Sequence, residues 1–161
     1  MTAEDPRRRR VGRLSTIYVR SPVYFLTACT RDRQEIVAAE PVHRTFVEYG
    51  ENGAARGAWI GAYVLMPDHL HLLVSLDDRD VTLSVFMKSL KNALSQTIRA
   101  AGTPSPHWQK GFFDHVLRSG ESYAQKWNYV RNNPVRAKLV SHPEDWPYLG
   151  EIFPLEYLSD R

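Results

Sequence analysis

One cysteine, Cys29, stands in 161 residues, which excludes an intrachain disulfide framework and a thiolate-rich zinc site. Its apolar setting, YFLTAC, points to a buried free thiol rather than a nucleophile. Long apolar runs are missing too: nothing approaches the ~18 residues a membrane span needs. The N-terminus is polar and arginine-rich with no hydrophobic stretch behind it, so no membrane partner and a cytoplasmic location are expected. Acidic residues are scarce in the middle of the chain. From Val81 to Val140, Lys88, Lys91, Arg99, Lys110, Arg118, Lys126, Arg131, Arg136 and Lys138 face only Asp114 and Glu121, while 141–161 is acidic. Such segregation predicts a basic face, for which a phosphate polymer is the commonest partner. A solvated cationic surface without a partner is the plainer alternative.

What is present suits one soluble domain, with 43% apolar and 24% charged residues. There is no internal repeat. Residues 1–17, with Arg7–Arg10, read as a flexible basic arm, 18–150 as the domain, and 151–161 as a polar tail. A first strand is expected over Tyr24–Thr30. A helix from Glu40-Pro41 to about Tyr49 has Val42, Phe46 and Tyr49 on its inner side. Trp59–Met66 and Asp68–Leu76 give two strands, an antiparallel pair or a bent continuation around Pro67-Asp68. A long helix to about Arg99 follows, with Asp80 as its N-cap and Leu83, Phe86, Leu90, Leu94 and Ile98 buried. Trp108–Leu117 is an edge strand or an irregular segment. Ser119 caps a last helix that Pro134 should end. In PEDWPY, Trp146 and Tyr148 plug a hydrophobic gap. Two helices and three or four strands fit an α+β layer arrangement.

The chain is organised around Ala62–Leu76, AYVLMPDHLHLLVSL. After the Pro-Asp break the pattern alternates, so His69 and His71 share one strand face, about 6–7 Å apart, behind an aliphatic back. Neutral imidazoles on a rigid strand are good corners for a divalent metal site. A His-x-His pair is about as often a sheet-edge cap beside a surface residue. On the last helix, Tyr123, Trp127 and Val130 define the buried side, and Tyr129 lies about 120° off it. Asn133 follows one turn later, its direction left open by Pro134, and Lys126 precedes it.

PDHLHLLV, WQKGFFDHVLR, YVRNNPVRAKLV and PEDWPY, in that order, resemble the REP-associated tyrosine transposases, single-tyrosine members of the His-hydrophobe-His (HUH) endonuclease superfamily. The resemblance covers roughly Ser21 to Tyr148. It implies a ferredoxin-like antiparallel sheet with helices packed on one face. It further implies that His69, His71 and Asn133 hold a divalent ion, Mg²⁺ or Mn²⁺, and that Tyr129 is the nucleophile. The implied partner is single-stranded DNA carrying a palindromic hairpin, cut through a 5′-phosphotyrosine intermediate by a monomer or a homodimer. Lys88, Lys91, Arg99, Lys110, Lys126, Arg131 and Arg136 are the expected DNA contacts. Asp114 or His115 could orient a ligand or touch DNA, or His115 is simply an exposed residue on an irregular segment; Asp68 is assigned no catalytic role. His43, His107 and His142 are expected to be surface or locally bonded residues.

Two other readings fit the same residues. A binding protein that does not cut would use its basic face on phosphates and its aromatics on bases. A hydrolase with activated water would leave Tyr129 structural. A protein–DNA adduct that survives denaturation separates them.

Overall fold

The computed structural model describes residues 16–19, 22–77 and 81–157. Among these residues seven strands and three α-helices follow in order: β1 Ile17–Val19, β2 Val23–Cys29, α1 Glu40–Glu51, β3 Ala58–Leu65, β4 His69–Leu76, α2 Leu83–Ala100, β5 Phe113–Leu117, α3 Gly120–Arg136, β6 Leu149–Glu151 and β7 Leu155–Tyr157. The main sheet is β5-β2-β4-β3-β6, and every pairing in it is antiparallel. From β2 to β5 the chain runs βαββαβ, with the two edge positions of that core taken by β3 and β5, the ferredoxin-like order. β1 and β7 form a separate parallel pair. Among the described residues, no helix is long and apolar enough to cross a membrane.

Pairing register sorts the side chains into two faces, because directly opposed residues point the same way. Leu70 and Leu72 of β4 oppose Leu65 and Tyr63 of β3, and Tyr63 packs its ring on Phe46 of α1, 4.6 Å between centroids. On that face α1 and α2 lie side by side, tied by Tyr49 Oη to Ser89 Oγ at 2.9 Å and Thr45 Oγ1 to Thr97 Oγ1 at 2.6 Å. α3 covers the other face: the Tyr123 hydroxyl accepts from the Ala62 amide at 3.2 Å and donates to Glu151. The expectation of helices on one face thus holds for α1 and α2, while α3 crosses the opposite one. β4, buried on both sides, is the centre of the core.

Local signals explain most boundaries. Pro41 sits in the first turn of α1, where its missing N–H costs nothing. α2 is capped by Thr82, whose side chain accepts from the Val85 amide; the expected cap, Asp80, lies outside the described residues. Ser119 caps α3 as expected, accepting from Ser122 N at 3.2 Å. Pro134 does not stop α3, which runs on to Arg136. A proline in the last turn removes a single intrahelical bond, and the end is closed by Lys138, at φ 59°, through Lys138 N to Val135 O and Leu139 N to Pro134 O.

The ordered domain extends beyond 150. Ile152, Phe153 and Leu155 are buried in the core and β7 pairs with β1, so the segment expected as a polar tail completes the domain at least to Tyr157. Trp146 fills its gap as expected and donates from Nε1 to Leu65 O at 3.0 Å. The segment around 108–117 resolves into edge strand β5. Of the two alternatives for His107 the bonded one holds: it is buried, bonded to Ser95 Oγ and Thr103 O, and pins the connector to α2. His43 is likewise tied, through Nε2, to Tyr63 Oη at 2.7 Å.

Candidate active site

β4 and its neighbour β2 build the floor of the site. His69 opposes Cys29 and His71 opposes Thr27, which puts both imidazoles on the α3 face of the sheet, 4.9 Å between ring centroids. Each ring is held by its Nδ1. His69 Nδ1 lies 2.7 Å from Asp68 Oδ1, and Arg33 Nε in turn donates to Asp68 Oδ2 at 2.9 Å. His71 Nδ1 lies 2.7 Å from Thr27 Oγ1, and its ring stacks on Phe25 with centroids 5.2 Å apart. With Nδ1–H donated to Asp68 and to Thr27, both Nε2 lone pairs are left for a ligand.

Electrostatics favour that state. Burial alone would raise the Asp68 carboxyl, but its hydrogen bond and charge interaction with His69, together with Arg33, hold it below its ordinary value. His71 is 8% exposed. Burial, reinforced by the charges of His69, Arg136 and Lys126, pushes it down from 6.5 to about 3. It is therefore neutral near pH 7, the form that can donate its lone pair.

α3 lays Tyr129 across this floor. Its ring meets His71 edge-on, centroids 6.1 Å apart, and Phe25 at 6.2 Å. It is 44% exposed. Arg136 sits over the ring at 4.1 Å while donating to the Tyr129 carbonyl at 2.7 Å, and Lys126 Nζ is 5.4 Å from it and 4.8 Å from Phe25. Tyr123, six residues earlier, is buried with its hydroxyl bonded to Glu151 and Ala62. One helix thus carries one tyrosine into the core and one into the site.

The structure brings His69, His71, Tyr129, Lys126 and Arg136 together. Asn133 is helical and half-buried one turn beyond Tyr129. Among the described residues, no third His, Cys, Asp or Glu completes a metal cluster with the pair. The other expected DNA contacts are not in this group. Lys88 and Arg99 are on α2, across the sheet; Arg99 donates to Ser105. Lys91 is committed to the connector, donating to Gln109 O at 3.1 Å and Gly111 O at 2.6 Å, and burial lowers its pKa. Lys110 is exposed on the same connector. Arg131 stacks over Trp127 at 5.7 Å. Asp114 and His115 are both exposed on β5, where His115 opposes Phe25 and Asp114 opposes Leu26. They therefore project to opposite faces. Asp68, Thr27, Arg33 and Phe25 support the site, and the sequence pattern singles out none of them. Asp68 alone had a local signal, its adjacency to His69.

Residues 19–133 match the family model described as "Transposase IS200 like". The chain belongs to the IS200-like transposase family. A transposase or nuclease type of function comes with that membership. Curated relatives include a putative REP-associated tyrosine transposase of Haemophilus influenzae, 24% identical over 87% of this chain and 89% of that one. The REP-associated tyrosine transposase of Escherichia coli K12 is 25% identical over 89% of this chain and 88% of its own. Among solved structures, a REP-associated tyrosine transposase bound to a REP hairpin superposes with a TM-score of 0.62, at 23% identity, covering 83% of this chain and 78% of that one. At that identity the likeness speaks for the IS200-like fold.

Proposed function

We propose that this IS200-like transposase is a metal-dependent single-strand endonuclease and strand transferase that cuts DNA beside a hairpin through Tyr129. The single observation that carries this is the meeting of Tyr129 with His71 on the imidazole face of the same chain. Curated relatives named as REP-associated tyrosine transposases, and a solved relative holding a REP hairpin, support the DNA partner.

His69 and His71, with Nδ1 tied and Nε2 open, fit a divalent cation, and Asn133 is the proposed third ligand. Imidazole donors favour Mn²⁺ intrinsically, and Mg²⁺ by availability. When bound, such an ion polarises the scissile phosphate and offsets charge on its non-bridging oxygens. The chain's own groups do the rest. As Tyr129 attacks, its hydroxyl proton passes to water. Lys126 and Arg136, beside its ring, stabilise charge on the phenolic oxygen and on the phosphate. The Tyr129 Oη–P bond forms, the P–O3′ bond breaks, and the 3′ oxygen takes a proton from solvent. The phosphoester is conserved as a 5′-phosphotyrosine, so a 3′-hydroxyl can attack it and reseal the strand.

The contact of Tyr129 with His71 of its own chain supports cleavage in cis. Mixing inactive His71→Ala with inactive Tyr129→Phe should restore no cutting of a labelled hairpin oligonucleotide. Recovered cutting in the mixture would place the tyrosine in trans, and full cutting by His71→Ala at limiting Mn²⁺ would remove that ligand from the site.

A further inference from the structure

Two rings stand on the imidazole face of the sheet without a part in the proposed reaction. Phe113 and His115 belong to β5, the edge strand beside β2. Phe113 opposes Thr27 and His115 opposes Phe25, so both share a face with those residues. Thr27 and Phe25 are the two that hold His71, one through its hydroxyl and the other by stacking. Phe113 and His115 therefore lie one strand outward from the His71 row, about 6–7 Å from each other along β5.

Phe113 is 70% exposed, the most exposed large apolar side chain among the described residues. A lone exposed apolar residue is ordinary. This one borders a site whose cations, Lys126 and Arg136, lie over the rings of Phe25 and Tyr129. A nucleotide whose phosphate sits among those cations needs a surface for its base. An aromatic face at the sheet edge supplies one without demanding a base identity.

We propose that Phe113, with His115 beside it, is a stacking platform for an unpaired base next to the scissile phosphate. The proposal rests on the function set out above and adds the residue that holds the single strand. Charge complementarity and continuity with the site favour a base over a second copy of the chain as the occupant.

The test is fluorescence anisotropy in the Tyr129→Phe background with Mn²⁺, so that binding is read without cleavage. Three probes are used: a hairpin with a single-stranded extension, the same hairpin blunt, and extended hairpins with each unpaired nucleotide in turn made abasic. Phe113→Ala should weaken the extended hairpin roughly 5- to 150-fold, leave the blunt one unchanged, and be rescued by Phe113→Trp. One abasic position should cost the parent the same factor and cost Phe113→Ala nothing more. Unchanged affinity, or an equal loss on blunt and extended hairpins, overturns the platform. A loss that tracks dissociation of a dimer in sedimentation also overturns it and assigns β5 to a copy interface. An adduct at Tyr129 with no Phe113 effect sinks the platform alone. A Phe113-dependent base preference with no adduct sinks the cleavage and leaves the platform standing.

Discussion

Thr27 Oγ1 lies 2.7 Å from His71 Nδ1, bridging two adjacent strands at the centre of the sheet. That bond selects which imidazole nitrogen faces the site. Thr27→Val keeps the volume and removes the acceptor, leaving a buried N–H unpaired and the ring free to change tautomer. Partners of this kind are worth about 10–100-fold in metal affinity. Calorimetric Mn²⁺ titration should show a loss of that order, with Asp68→Asn giving a similar loss through His69. Unchanged affinity in both would mean the imidazoles do not ligate.

The cations divide between the two sides of the sheet, and their variants should divide as well. Replacing Lys126 and Arg136 by Ala should flatten the salt dependence of single-strand binding by about 0.7 for each phosphate no longer neutralised. Lys88→Ala should change it far less. Lys91→Ala should loosen the connector it holds at Gln109 and Gly111, seen as faster amide exchange there rather than weaker DNA binding. Equal slopes for the Lys126/Arg136 and Lys88 variants would restore a single basic face.

The imidazole strand was legible in the sequence because period-two alternation reports a strand directly, and Ser119 because a cap is a local bond. One basic face was not, since charge counted along the chain carries no record of which side of the sheet α2 and α3 take. Pro134 misleads for a related reason: its cost depends on distance from the helix end, which Lys138 sets through a positive φ. β1 and β7 are three residues each, too short for any period. Thr27 and Phe25 matter only through register with β4, which no spacing reveals.

Two histidines whose pKa burial lowers make stability fall on the acid side. Burial lowers His43, with Glu40 pulling the other way, and His71 is pushed to about 3. Below their ordinary 6.5 the unfolded chain takes up protons that the folded chain refuses. Their contribution is therefore full above that value and lost as pH falls. Glu151, raised first by burial, acts in the opposite sense, so a variant difference is the cleaner measure. In metal-free urea melts, the drop from about pH 7.5 to about pH 5 should be smaller in His43→Gln than in the parent. An equal drop would show that His43 is already protonated in the fold.

A Cβ at Gly61 would stand 2.5 Å from Tyr123 Oη and 3.0 Å from Leu155. Gly61→Ala should cost about 1–3 kcal/mol by overpacking, and Tyr123→Phe about 1–3 kcal/mol by stranding the Ala62 N–H. Because the first clash is with the hydroxyl itself, the double variant should cost less than the sum of the two. Strict additivity in denaturant melts would show that Leu155 alone sets the penalty.

Tyr129 and Tyr123 share one helix, yet only Tyr129 is open beside His71. The most direct measurement is incubation with a labelled hairpin oligonucleotide and Mn²⁺, followed by a denaturing gel and peptide mapping of the shifted band. The expected result is an adduct on Tyr129, formed by wild type and by Tyr123→Phe and absent from Tyr129→Phe, which should still bind metal and DNA. Cutting that persists in Tyr129→Phe, or an adduct mapped to Tyr123, would contradict it, and cutting with no adduct in any variant would mean that water is the nucleophile.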